Sequence, residues 1–125
     1  MRLPMNQLIY FIPILLIVVF FIVKQRGMAN EDQVKSAMQK GAKVIDVRSP
    51  QEYASGHLPM AINIPVSELE ERVTQLAPDK EQSLLLHCAS GMRSGHGKSI
   101  LERLGYKQVL NVGSYGRAAK LLNGS

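Results

Sequence analysis

One cysteine, Cys88, no tryptophan and only three histidines occur in these 125 residues. A lone cysteine excludes an intrachain disulfide framework and a CxxC redox pair, and it offers no multi-cysteine zinc site. Aromatic residues make up 6% of the chain, too few for a row of rings on which nucleic-acid bases stack. The net charge of +5 is no nucleic-acid signal either. Arg2, Lys24 and Arg26 flank an apolar segment, and from Gly27 onward twelve basic residues face ten acidic ones. A near-neutral domain without an arginine-rich stripe excludes nucleic acid as an expected partner. Internal repeats and low-complexity tracts are absent as well.

Charge is missing altogether from Leu3 to Val23. As a helix this stretch is about 31 Å long at ~1.5 Å per residue, close to the ~30 Å hydrocarbon core of a bilayer. Pro13 inside it suits a membrane helix better than a soluble one, and apolar residues on every side do not suit a surface helix. Residues 3–23 are therefore expected to form a transmembrane anchor in contact with membrane lipid, with a linker at 24–29 and one domain at 30–125. The alternative is a cleaved secretory signal, for which Gly27, Met28 and Ala29 supply small residues at a cleavage point. The long apolar stretch and the basic residues Lys24 and Arg26 ahead of that point favour the anchor. Lys24, Arg26, Lys35, Lys40 and Lys43 outweigh Arg2 across the segment, so the positive-inside rule puts the domain in the cytoplasm, held at the inner or cell membrane. Signal cleavage would instead release it into the periplasm.

The remaining chain alternates helix and strand signals. Asn30 with Gln33, and Ser49 with Glu52 behind Pro50, read as capping boxes that open helices. Ser67 with Glu70 reads as a third, followed by Leu69, Val73 and Leu76 at helical spacing and a stop at Pro78. Short apolar runs predict strands at 44–47, 61–64, 83–88 and 108–112. A helix precedes Gly105, and a last one spans 115–122. This order predicts an α/β fold, a small, mostly parallel sheet of about four strands with helices on both faces, preceded by one transmembrane helix. Ligands of such sheets bind beyond the carboxyl ends of the strands.

Cys88 lies at that end of its predicted strand. The loop after it, Ala89-Ser90-Gly91-Met92-Arg93, is small, holds a glycine and runs into a helix. Loop N–H groups and the positive helix end favour a thiolate there, and so does the Arg93 guanidinium, so the Cys88 pKa is expected below the ordinary thiol value. Asp46 and Arg48 close another strand and are expected to pair with each other or bond the loop. His87 should point to the sheet face opposite Cys88. His57 follows a turn glycine, and His96 lies on the helix after the loop. Neither arrangement gives a metal ligand set, so no metal and no cofactor are expected.

Three segments in this order resemble a rhodanese domain. They are Asp46-Val47-Arg48 with Glu52-Tyr53 and Gly56-His57-Leu58-Pro59-Met60-Ala61; Asn63-Ile64-Pro65; and the Cys88 loop through Ser94. The resemblance covers about residues 30 to 113. It implies a sulfurtransferase that takes sulfane sulfur from thiosulfate or a persulfide donor. Cys88 would carry it as a persulfide and pass it to a thiol, a protein acceptor or cyanide. Ala89, Ser90, Gly91, Met92 and Arg93 would bind the donor, with Asp46 and Arg48 in support. The chain departs from the family in lacking a strand ahead of its first domain helix, and in having Gly113-Ser114-Tyr115-Gly116 where many members carry a Gly-Gly pair and a tryptophan. The alternatives are a rhodanese-like binding module without turnover and a cysteine-dependent phosphatase. The phosphatase signature places five residues between cysteine and arginine, and here there are four. Oligomeric state is not legible in the sequence.

Overall fold

The computed structural model of the chain describes residues 4–123, without the side chains of residues 23–26. The expected start of the apolar segment at Leu3 and the placing of Arg2 lie outside the described residues, as do the side chains of Lys24 and Arg26. Helix α1 spans Met5–Arg26 with Pro13 inside it. Its window Met5–Ile22 is apolar and long enough to cross a membrane, and none of that window is buried.

Two of the three capping boxes form. Asn30 and Gln33 close α2 (Glu31–Gln39) reciprocally, and Ser49 and Glu52 do the same for α3 (Pro50–Ser55). The box expected at Ser67 does not form. Pro65 leads instead into a 3-10 turn over Val66–Glu68, with the Val66 N–H on the Val47 carbonyl, and α4 (Leu69–Leu76) begins without a side-chain cap. Burial of Leu69 and Val73 fixes this helix in place of the cap.

Four strands, β1 (Lys43–Asp46), β2 (Ala61–Asn63), β3 (Leu84–Cys88) and β4 (Val109–Ser114), form one parallel sheet in the order β2-β1-β3-β4. Every residue of β3 is buried, because helices cover both faces. Alternation along β3 separates two cores. Leu84, Leu86 and Cys88 belong to a cluster with Leu69, Val73 and Leu101, under α4 and α5 (Met92–Arg103). Leu85 belongs to a second cluster with Val34, Ala37 and Ala118, under α2 and α6 (Tyr115–Asn123).

Strand β4 runs two residues beyond the predicted end at Val112. Its pairing with β3 slips between Leu86 and His87, so that Leu86 faces Asn111 while His87 faces Gly113. Val112 is the extra residue of a bulge, and Gly113 continues the strand with a φ of 98°. Glycine alone holds that conformation without strain.

Candidate functional site

The pole of the domain at the carboxyl ends of the strands gathers the residues singled out in the sequence. Cys88 ends β3, fully buried at 0% exposure. The chain then turns through Ala89 and Ser90, both exposed, to Gly91, which takes a φ of 99° at the cap of α5. That turn aims the Gly91 N–H at Cys88 Sγ, 2.9 Å away. A Cβ at Gly91 would meet the Gly113 backbone and Met28 at 3.3 Å, so both φ and space demand glycine here.

Helix α5 is seated close enough to the sheet to aim its first turn at the sulfur. A Cβ on Gly97 would stand 2.9 Å from Leu86 Cδ2 and 3.1 Å from Leu69 Cδ2. In the first turn Ser94, fully buried, brings its hydroxyl to 3.5 Å from Cys88 Sγ. Burial of the thiol raises its pKa, but hydrogen bonds from the Ser94 hydroxyl and the N–H groups of Ser94, Gly91 and Ser90 outweigh that, and the net shift is downward. The expected depression is therefore present, and hydrogen bonds to the anion produce it.

The Ser94 hydroxyl has one proton and three acceptors around it. These are Asn111 Oδ1 at 2.7 Å, the Gly91 carbonyl at 3.1 Å and the sulfur at 3.5 Å. Asn111 is itself fixed, since its Oδ1 accepts the Gly113 N–H at 3.0 Å across the bulge and its Nδ2 donates to the Gly91 carbonyl at 3.2 Å. Asn111 thus ties β4, α5 and the loop together around the sulfur. Sequence reading missed both Ser94 and Asn111 as site residues. The available signal was a hydroxyl in the first turn of the helix that follows the cysteine.

Arg93 was expected to meet a donor anion. In the structure its guanidinium lies on a carboxylate, with Nη1 2.6 Å from Glu52 Oε1 and Nη2 3.0 Å from Glu52 Oε2. Glu52 also accepts from the Ser49 N–H in its capping box, and with Arg93 beside it its pKa is pulled from 4.5 down to about 2. The charge of Arg93 is compensated, and the pair ties α3 to α5. Met92 projects from the loop, 79% exposed.

Asp46 and Arg48 form the expected ion pair, buried beneath the pole. Arg48 Nε is 3.0 Å from both Asp46 oxygens and Nη2 is 2.7 Å from Oδ2. Arg48 also donates to the Gly56 carbonyl at 2.8 Å and lies over the Tyr115 ring at 4.6 Å. The hydrogen bond to Asp46 raises the Arg48 pKa. His87 faces the side opposite Cys88, near the Tyr115 ring. Its Nε2 stands 3.7 Å from Asp46 Oδ2 without a hydrogen bond, and burial lowers its pKa. His57 stacks on Tyr53, and His96 is exposed. Among the described residues, no group of three His, Cys, Asp or Glu side chains is placed to hold a metal.

A family model described as a rhodanese-like domain matches residues 30–116. The thiosulfate sulfurtransferase PspE of Escherichia coli is 44% identical over 69 residues, which cover 55% of this chain and 66% of that protein. The chain thus spans just under two thirds of that relative's length. Among solved structures, a rhodanese with anions from E. coli superposes with a TM-score of 0.59 at 39% identity, covering 61% of this chain and 89% of that one. The human single-domain sulfurtransferase TSTD1 superposes with a TM-score of 0.61 at 29% identity, covering 75% of this chain and 96% of that one. A parallel sheet that delivers a hydrogen-bonded cysteine to a short loop, together with these matches, shows that the chain belongs to the rhodanese-like domain family, among sulfurtransferase homologues.

Proposed function

We propose that this protein is a membrane-anchored sulfurtransferase of the thiosulfate type, with Cys88 as the sulfur carrier. The observation that carries the reading is the Gly91 N–H on Cys88 Sγ at 2.9 Å, at the end of a buried strand. The Cys88 thiolate attacks the outer sulfur of thiosulfate. The S–S bond of the donor breaks, sulfite leaves with its electron pair, and Cys88 becomes a persulfide. A thiolate acceptor, or cyanide in an assay, then attacks the outer sulfur and returns Cys88 to the thiolate. This is covalent catalysis in two displacements, with ping-pong kinetics.

The N–H groups of Ser90, Gly91 and Ser94 steady the charge that moves onto the terminal sulfur. Ala89 and Ser90, small and exposed, leave room for the donor, and Met92 flanks it. Arg93 acts through its bond to Glu52 as a brace for the loop. Asp46 and Arg48 support the pole from below. The compensated Arg93 favours sulfur transfer over phosphate hydrolysis, and the presence of the thiol favours turnover over a silent binding role.

Intact-mass measurement after incubation with thiosulfate tests the reading. Gain of one sulfur atom, absent in Cys88→Ser and discharged by cyanide, is the expected result. No adduct, or one that survives in Cys88→Ser, refutes it; hydrolysis of an aryl phosphate would favour the phosphatase alternative.

Residues 3–23 act as the anchor in this reading, with the domain from residue 30 onward in the cytoplasm. The burial of Ala29 at 4% exposure and its bond to the Asn111 carbonyl at 2.8 Å support retention of the segment, because signal cleavage after Ala29 would remove both. Recovery of a soluble form beginning at Asn30 would refute the anchor. Labelling of Cys88 in intact cells by a membrane-impermeant thiol reagent would reverse the topology.

A further inference from the structure

The chain between α1 and the domain is bonded to the same residues that hold the Cys88 loop. Ala29 donates its N–H to the carbonyl of Asn111, the residue whose side chain positions Ser94 and Gly91. The Ala29 carbonyl accepts from the Arg117 guanidinium, whose other terminal nitrogen is 2.6 Å from the Val112 carbonyl. Met28 lies against the two left-handed glycines of the site. Its Cε is 3.3 Å from where a Cβ on Gly91 would stand, and its Sδ is 3.2 Å from the same point on Gly113. A cavity of about 380 Å³ between Gly27 and Met28 and the outer side of the loop is also lined by Met92 and Lys98.

Covalent reach then limits where this pole can be. Helix α1 ends at Arg26, and the three residues to Ala29 span at most about 11 Å. The helical residues between the apolar window and Arg26 add about 6 Å at ~1.5 Å each. A domain of this size is about 30 Å across. However the domain swings, the Ala29 end of it stays nearer the bilayer than one domain diameter. Glu81, before β3, lies at the opposite end of the strands, about 17 Å along a five-residue strand.

We propose that the rim of the Cys88 loop lies against the phospholipid headgroup layer, so that Cys88 is loaded and unloaded at the bilayer surface. The exposed Met92 presents an unbranched apolar side chain to the interface, the half-buried Met28 packs against Gly91 and Gly113 beside it, and Lys98, which shares the cavity with Glu102, supplies a cation for lipid phosphate. The proposal rests on the anchor reading above. The test uses the full chain in the Cys88→Ser background, with a single nitroxide-labelled cysteine at Met92→Cys or at Glu81→Cys, reconstituted in phosphatidylcholine–phosphatidylglycerol vesicles. Collision of each label with lipid-soluble oxygen is compared with its collision with a water-soluble nickel chelate. A ratio several-fold higher at position 92 than at 81 is expected. Equal ratios in protein that floats with the vesicles overturn this proposal alone. Protein that does not float with the vesicles overturns the anchor reading, and this proposal with it.

Discussion

Replacing Glu52 by glutamine removes the charge that Arg93 faces and keeps an N3 side chain able to complete the capping box with Ser49. The loss therefore isolates the ion pair that ties α3 to the start of α5 beside the Cys88 loop. Both side chains are more than a third exposed, at 37% and 38%, so solvent screening holds the pair to about 1 kcal/mol in spite of its two-pronged geometry. For a domain of this size that is a fall in Tm of about 4–8 °C. The sign of the pH dependence follows from the direction of the shift. The folded Glu52 pKa is depressed, from 4.5 to about 2, so the contribution is complete above pH 4.5 and is lost as pH falls toward 2. Thermal melts of the wild type and Glu52→Gln should differ by a constant amount above pH 5 and converge in acid. Arg93→Met, which keeps the apolar stem, should cost about as much, and the double variant little more than either. Additive costs, or a gap that persists at pH 2, would show that the pair does not hold the loop.

Three further outcomes follow from the site and its support. Ser94→Ala should shift the pH profile of Cys88 alkylation toward higher pH, since a hydrogen bond to the anion is lost; an unchanged profile would mean that the amides alone set the thiol. Gly97→Ala should destabilise the domain by about 1–3 kcal/mol in denaturant unfolding, because its Cβ meets Leu86 and Leu69 at overpacked distance. Asp46→Ala leaves the Arg48 charge buried without its partner and should cost about 3–5 kcal/mol; a smaller loss in the same measurement would show that the Gly56 carbonyl and the Tyr115 ring suffice.

The signals that were local in sequence were legible. Asn30 and Ser49 cap helices with residues three positions on, and β3 is legible because three leucines in a row, Leu84, Leu85 and Leu86, need cover on both faces. The end of β3 at Cys88 was legible for the same reason. The contacts that finish the site are remote: Arg93 meets Glu52 across 41 positions and Ser94 meets Asn111 across 17. No periodicity encodes such pairs. The bulge at Val112 was hidden because an extra residue leaves the composition of a strand unchanged, and Gly113 reads as a stop until its φ is known. Ser67 and Glu70 have the spacing of a capping box but not the backbone for it, since Pro65 had already set a tighter turn.

A thiolate with no exposed surface is selective by shape. Low pKa makes Cys88 a good nucleophile in principle, yet its burial slows its reaction with bulky electrophiles relative to small ones. A narrow donor that presents a terminal sulfur atom can enter where a branched one cannot. In the proposed mechanism, loading lengthens the side chain by one sulfur atom beyond the position that Gly91 and Ser94 hold. On that proposal the empty protein is the sheltered form, and the charged one is the form that acceptors, and poisons, would reach.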